Sequence, residues 1–277
     1  MQRALEGKSA LVTAASQGIG LACACALAED GAAVVIMGRR QDALEQARAE
    51  LLSRVPEARV ELFAGDGTDE EQVKAALAFT HGLQGRLDIV ASVVGQPTFK
   101  PLLMRSAADV REELDLNFVS AFLAVRHGAP LMQPGGSIVC VSSAGATQTC
   151  WGLSIYAAAK AGLERFVRAA AFELGGAGIR VNAVRPGATI PPERIEKQPE
   201  IRGTTQAYAD ITPLGRLGHP DDVARVLRFL AGPESGWVTG QTVAADGGMD
   251  QVTGPDFMDL FYGKEVMDRI RIGEPVD

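Results

Sequence analysis

The sequence predicts a single α/β domain: a doubly wound parallel sheet of about seven strands with helices on both faces. Three observations carry this. Short β-branched runs alternate with longer amphipathic stretches along most of the chain, the order that builds strand–helix–strand crossovers and one parallel sheet. Several of the short runs are apolar throughout, such as Val34-Val35-Ile36 and Ile138-Val139-Cys140-Val141, as suits strands covered on both faces. Hydrophobic residues make up 47% of the 277 positions, with no internal linker between them, enough for one sizeable core.

In chain order, strands are expected at 9–13, 33–38, 59–64, 88–94, 136–141, 180–185 and 242–245. Between them, helical patterns run over 18–30, 41–54, 69–81, 106–131, 153–174 and 220–231. Asp69-Glu70-Glu71 places acids in a first turn, and Pro220-Asp221-Asp222 joins a proline to acids at another helix start; both suit the positive end of a helix. A sheet of this kind binds ligands at the carboxyl ends of its strands, where the strand order reverses. Two stretches fall outside the alternation. Residues 188–212, with Pro191, Pro192, Pro199 and many charges, read as a loop or lid over that crevice. Residues 251–277 carry Phe257, Leu260, Phe261 and Tyr262, too apolar for a free end. This tail is expected to pack on the 1–250 domain or on a neighbouring subunit, or else to help close a substrate pocket.

Composition excludes several functions. A net charge of −7 argues against nucleic acid or an anionic membrane as partner, and 5% aromatics leaves no base-stacking platform. No apolar run reaches membrane-span length, and 10–15 is too short for a signal-peptide core, so a cytoplasmic protein is expected. Cys23, Cys25, Cys140 and Cys150 show no Cys-x-x-Cys spacing; they read as four small buried hydrophobes in a reduced protein. With His81, His127 and His219 also lacking partners at ligand spacing, no metal is expected.

The first strand leads into Thr13-Ala14-Ala15-Ser16-Gln17-Gly18-Ile19-Gly20. Gly18 lets backbone approach a phosphate, and Gly20 lets helix and strand pack closely. Amides at this helix start make an anion site, so Thr13, Ser16, Gln17, Gly18, Ile19 and Gly20 are candidates to hold a dinucleotide. The second strand ends Gly38-Arg39-Arg40. Gly38 stands where an acid would accept from the ribose of NAD, and a following guanidinium can pair bidentately with a 2′-phosphate. NADP(H) is therefore expected over NAD(H). Alternatively the two arginines only solvate the next helix start. Asp66, beside Gly67, either accepts from an adenine amino group or serves the turn between Gly65 and Gly67.

Tyr156-Ala157-Ala158-Ala159-Lys160 carries the chemistry. Four residues apart on a helix, the two side chains share one face, about 6 Å apart along the axis. A phenol titrates near ~10 in water, and a neighbouring ammonium favours its phenolate. Ser143 lies thirteen positions earlier, at the carboxyl end of the fifth strand. There its hydroxyl can bind the substrate oxygen that Tyr156 protonates.

Together these residues resemble the short-chain dehydrogenase/reductase family, Tyr-x3-Lys type, over about residues 6–250. The match runs through Thr13, Gly18 and Gly20, then Asp66, Asn117 in Leu116-Asn117, Ser143, Tyr156 and Lys160. It continues in Arg180-Val181-Asn182-Ala183-Val184-Arg185-Pro186-Gly187 and Asp246-Gly247-Gly248. The resemblance implies a Rossmann-like fold and an oxidoreductase interconverting a secondary alcohol and a ketone. It also implies Tyr156 as acid/base, Lys160 lowering the Tyr156 pKa and binding the nicotinamide ribose, Ser143 orienting the carbonyl, and Asn117 holding a relay water. Pro186, Gly187 and Thr189 lie beside the nicotinamide in this reading, and Gly95 where backbone passes near it. A homotetramer (or dimer) is implied as well, its contact buried by the helices at 106–131 and 153–174. Three departures stand out: Ala14 for the loop's first glycine, Ser92-Val93-Val94-Gly95 for the family's Asn-Asn-Ala-Gly, and Pro191 where a Thr often contacts the carboxamide.

Around the reactive centre Gln96, Gln148, Cys150 and Trp151 are expected to join Ser143 and Tyr156, with 188–212 above them. That mixture points to a mainly apolar substrate, cyclic, aromatic or steroid-like, with one or two polar anchors. Trp151 could instead cap the helix start as packing. Two rivals remain open. One is an acyl-carrier ketoreductase or enoyl reductase, although the family's enoyl reductases space Tyr and Lys farther apart and Arg105, Arg126 and Arg168 are too scattered for a docking patch. The other is a dinucleotide-binding scaffold or redox sensor, which would have no need of Asn117, Ser143, Tyr156 and Lys160 together.

Overall fold

Side chains alternate along each strand, and each face gathers its own core. In the computed structural model, which describes residues 3–191, 195–196, 202–251 and 258–274, seven strands pair in parallel in the order β3-β2-β1-β4-β5-β6-β7. They are β1 Ser9–Val12, β2 Ala33–Gly38, β3 Val60–Ala64, β4 Leu87–Ser92, β5 Met132–Val141, β6 Arg180–Pro186 and β7 Thr242–Ala245. Ala10, Val12, Val34 and Ile36 enter one core, and Leu11, Val35 and Met37 the other, the period-two pattern of a pleated strand.

Helices α1 (Gly18–Glu29), α2 (Gln41–Arg54) and α8 (Pro220–Ala231) cover the first face through Leu27, Leu44, Leu51 and Leu227. Helices α3 (Glu70–Gln84), α5 (Ser120–Gly128) and α6 (Ser154–Leu174) cover the second through Leu77, Leu123, Leu163 and Val167. No described helix is long and apolar enough to cross a membrane. The strand order reverses between β1 and β4, which places the crevice at their carboxyl ends.

The differences from expectation have local causes. β4 stops at Ser92, short of 94, because the Val93 amide turns to the Thr13 hydroxyl at 2.9 Å. The Thr13 amide in turn bonds the Ala91 carbonyl at 3.0 Å. β5 begins early at Met132, and the register against β4 shifts between Leu87 and Ile89 to absorb Pro134 and Gly135. The helix expected over 106–131 is interrupted. α4 (Ala107–Leu114) is followed by a π-helical turn, Asp115–Val119, before α5. Asn117 Nδ2 bonds the Glu113 carbonyl at 3.0 Å, the acceptor that a regular α-register would offer to the Asn117 amide.

The stretch 188–212 is more than a loop: α7 (Arg202–Ile211) lies within it, while Pro192 and Pro199 lie outside the described residues. The tail forms two short helices, α9 (Met258–Tyr262) and α10 (Lys264–Arg271). Phe261 and Tyr262 are exposed, and Met267 is buried; Phe257 is outside the described residues, as is the Leu260 side chain.

Ala14 adopts φ +50°, the one non-glycine residue with positive φ among those described. A Cβ there costs about 1–2 kcal/mol, whereas an added glycine costs about 0.4–1 kcal/mol through the unfolded chain. Ala14→Gly is therefore expected to raise stability by about 0.5–1 kcal/mol, read as a higher urea midpoint with unchanged m. A lower midpoint would mean that Ala14 sits there without strain.

Candidate active site

The carboxyl end of β5 and the first turns of α6 are joined by one buried ammonium. Lys160 is 2% exposed, and its Nζ donates to the Val141 carbonyl at 3.0 Å. Burial pushes its pKa down to about 8, with the nearby Cys140 thiol acting the other way. The same burial pushes Cys140 up to about 12. Lys160 Nζ lies 5.9 Å from the centre of the Tyr156 ring, one helical turn away as the spacing requires.

Tyr156 is itself buried, and Ser143 hydrogen-bonds its phenol. Burial raises the phenol pKa, the Ser143 bond opposes the shift, and Glu113 adds to it. The net shift is therefore upward, not the lowering expected from Lys160, because removal from water is its largest cause. Tyr156 therefore holds its proton at neutral pH, the state of a proton donor. Ser143 closes the strand end in extended backbone, and its Oγ accepts from the Gly145 amide at 3.1 Å, capping the short turn Ala144–Ala146.

Asn117, fully buried, points its carboxamide back toward the end of β4. Its Oδ1 accepts from the Gln96 amide at 2.9 Å, and its Nδ2 also reaches the Gln96 carbonyl at 3.2 Å. The π-helical turn described above is the backbone form of this contact. A Cβ on Gly95 would lie 2.7 Å from Lys160 Nζ and 2.9 Å from Asn117 Oδ1. Gly95 is thus the floor between the two side chains, and a larger residue there would displace the ammonium.

At the other end of the crevice α1 is preceded by Gln17, which makes no side-chain cap, and carries no acid in its first turn. Its first amides are free to meet an anion. Gly18 has φ +58° with nothing near its missing Cβ, while a Cβ on Gly20 would come within 2.3 Å of the Ala14 carbonyl. Gly18 leaves room for a ligand, and Gly20 closes the helix onto the loop. Ser16 lies against Gly38, and Ile19 is half-buried. Gly38 ends β2, and the exposed Arg39 has no ion pair among the described residues, whereas Arg40 pairs with Asp42 at 3.4 Å. Hence Arg40 serves the start of α2, and Arg39 remains open.

Asp66 Oδ1 accepts from the Thr68 amide and hydroxyl at 2.9 and 2.8 Å, so it serves the turn. The missing Cβ of Gly67 faces Val94 Cγ2 at 2.6 Å. Thr13 spends its hydroxyl on β4, as described, and shapes the loop from below. At the end of β6, Gly187 packs on Asp246, Pro186 is buried, and Thr189 Oγ1 donates to the Gly187 carbonyl at 3.0 Å. Thr189 also bridges to Gly218. An uncapped helix start and a glycine without a neighbour fit a dinucleotide at this end of the crevice.

The expected substrate residues separate. Gln96 presents its side chain to solvent while Asn117 holds its backbone. Gln148 Nε2 donates to the Met249 carbonyl at 2.5 Å and so braces the chain after β7. Cys150 is exposed rather than buried, with its Sγ 4.0 Å from the Tyr208 hydroxyl on α7. Cys23, Cys25 and Cys140 are buried as expected. Trp151 is 94% exposed, so packing at the helix start is not its role.

Other residues were missed by sequence reasoning. Arg105 is not a surface cation: it pairs with Glu113, both side chains 3% exposed, and its Nη2 reaches the Gly152 carbonyl at 2.9 Å. This pair fastens the loop after β4 to the loop before α6, and Glu113 also accepts from the Thr98 amide at 3.1 Å. The signal was Glu113 four positions before Asn117, one turn away on the same helix face. Glu164 was missed too, although Tyr156, Lys160 and Glu164 fall at successive fours along α6.

Comparison with known proteins agrees with this geometry. A family model described as Enoyl-(Acyl carrier protein) reductase matches residues 13–250. The 3-oxoacyl-(acyl-carrier-protein) reductase FabG of Thermotoga maritima is 36% identical over 252 residues, covering 88% of this chain and 98% of that protein. The 7alpha-hydroxysteroid dehydrogenase of Escherichia coli is 34% identical over 249 residues, covering 88% and 94%. A short-chain dehydrogenase from Burkholderia cenocepacia, solved in complex with NADP, superposes with a TM-score of 0.82 at 30% identity, covering 89% of this chain and 99% of that one. On the match across the chain and the residues at the strand ends, the protein belongs to the short-chain dehydrogenase/reductase family of oxidoreductases.

Proposed function

We propose that this chain is an NADP(H)-dependent ketone reductase acting on a bulky, mainly apolar ketone or the corresponding secondary alcohol. The observation that carries the reading is the constellation at the end of β5: Ser143 on the Tyr156 phenol, with Lys160 and Asn117 meeting over Gly95. The first amides of α1 and Arg39 would hold NADP(H), which would supply the hydride. The chain's own residues supply the rest. Ser143 donates to the carbonyl oxygen and fixes its place. Tyr156, protonated at neutral pH because it is buried, gives that oxygen its proton as charge develops there. Lys160 holds a positive charge beside the phenol, so the anion left after proton donation is stabilised.

The substrate side supports the apolar reading. Phe99, Leu102, Leu103, Met104 and Trp151 are exposed on the two loops that Arg105 fastens together. The relative named for a hydroxysteroid has the same class of substrate in view. The relative named for an acyl-carrier thioester gives the second reading. Against it, Arg105 is consumed by Glu113 and the chain carries a net charge of −7, which disfavours an acidic carrier. Phe172, 90% exposed on α6, supports a contact between subunits of a homo-oligomer.

Four outcomes test this reading. NADPH is expected to raise the melting temperature more than NADH, and to be oxidised at 340 nm with bulky ketones ahead of a 3-oxoacyl thioester. Tyr156→Phe should lower that turnover by at least about 100-fold while the NADPH-induced shift persists; retained turnover would remove Tyr156 from proton transfer. Arg39→Ala should weaken NADPH about tenfold and NADH hardly at all, and equal losses would contradict a 2′-phosphate contact. Finally, Lys160 loses its charge as pH rises through about 8, whereas the Tyr156 phenol stays protonated beyond its ordinary range. The kcat/KM for reduction, which reports the free enzyme, should be level near neutrality and fall above that point. A profile that climbs there would show that the charge on Lys160 is not required.

A further inference from the structure

Two carboxylates and a guanidinium that proton transfer does not use lie directly behind Ser143. The side chains of Glu164, Arg185 and Asp250 are 8%, 15% and 7% exposed. Arg185 donates through Nε and Nη2 to the two oxygens of Glu164 at 2.8 and 2.5 Å, and through Nη1 to Asp250 Oδ2 at 2.5 Å. Each carboxylate then reaches one end of the turn that Ser143 caps. Ser142 Oγ donates to Glu164 Oε1 at 2.6 Å, and Thr147 Oγ1 lies 2.7 Å from Asp250 Oδ1. Ser142 and Thr147 flank the turn Ala144–Ala146.

The contacts therefore close a ring. It runs from Ser142 to Glu164, through Arg185 to Asp250, on to Thr147, and back along the turn to Ser143. Gln148, bonded to the Met249 carbonyl, adds a second tie on the Asp250 side. Inside the ring, Gly145 faces the Tyr156 ring, where a Cβ would lie 3.2 Å from Cε1. The turn can thus neither lift from Tyr156 nor press closer to it without breaking a charge-assisted bond. Apolar side chains would fill the same volume without desolvating three charges. What the charged set adds is direction, because a guanidinium fork binds a carboxylate in one plane.

We propose that Glu164, Arg185 and Asp250 are positioning residues: a buried clamp that fixes the Ser143 hydroxyl against Tyr156. The inference rests on Ser143 and Tyr156 acting together as under Proposed function. Glu164→Gln is the informative variant, since Arg185 keeps Asp250 as a partner and no charge is left buried alone; Asp250→Asn serves as its counterpart at the other end.

Two measurements on the full chain decide it. The first needs no substrate: amide hydrogen exchange of residues 143–148, where the Gly145 amide bonds Ser143 Oγ and the Gln148 amide bonds the Ala144 carbonyl. Both variants should exchange about tenfold faster there while α8 is unchanged; unchanged exchange over 143–148 overturns the clamp. The second is a double-mutant cycle with NADPH and 1-tetralone, a bicyclic ketone. Glu164→Gln should lower kcat about tenfold with the KM for NADPH within twofold, and should cost less than twofold when Ser143 is already Ala. Equal losses in both backgrounds would mean that Glu164 does not act through Ser143 and would overturn the proposal. If the parent chain turns over no ketone, Proposed function fails, and the exchange measurement still decides the clamp.

Discussion

An ammonium sealed from water needs an acceptor, and in this chain that need fixes the centre of the molecule. Lys160 finds its acceptor in the Val141 carbonyl, at the last residue of β5. That bond ties α6 to β5 at one height and one rotation. Tyr156, one turn earlier on α6, must then stand over the strand end, and Ser143, two residues beyond Val141, must stand beside it. The floor of the same space has to be glycine, since a side chain at position 95 would meet the ammonium. The π-helical turn at Asp115–Val119 serves the same place, because it lets Asn117 reach the Gln96 backbone next to that glycine.

Around this centre, burial sets the chemistry more than charge pairing does. The Tyr156 phenol rises and the Lys160 ammonium falls for one reason, that neither charged form is welcome away from water. The resting pair is a protonated acid beside a cation whose charge is held with little to spare. Two ionic braces stand outside it: Arg105 with Glu113 under the loop after β4, and Glu164, Arg185 and Asp250 behind Ser143. Both join segments distant in sequence, so the loops around the pocket are held by the frame.

Most of the frame was legible in the sequence, because a two-sided parallel sheet writes its strands as continuous apolar runs. β2 and β7 were read to the residue, while β4 ran two residues too long. Its end depends on a hydroxyl from another strand, Thr13, which no local pattern records. That Ser143, Tyr156 and Lys160 come together was legible for a similar reason, since Tyr156 and Lys160 share a helix face and Ser143 follows an apolar run. The braces were not. Arg105 looked like a surface cation until Glu113 and Gly152 closed over it, and Arg185 sat unnoticed inside a stretch read only for its resemblance to the family. Cys150 was misjudged as buried because burial of a loop residue depends on what the fold brings above it. The direction of the Tyr156 shift was misread as well, since a sequence shows which charges are near but not how much water is left.

One crevice, from the start of α1 to Tyr156, is proposed to hold a dinucleotide in line with a proton donor. A crystal structure of the chain with NADP tests it most directly. The pyrophosphate is expected over Gly18, the 2′-phosphate against Arg39, and the reactive nicotinamide carbon facing the space beside the Tyr156 hydroxyl, within about 4 Å of a bound carbonyl carbon. A dinucleotide bound elsewhere, or a nicotinamide turned away from Tyr156, would contradict it.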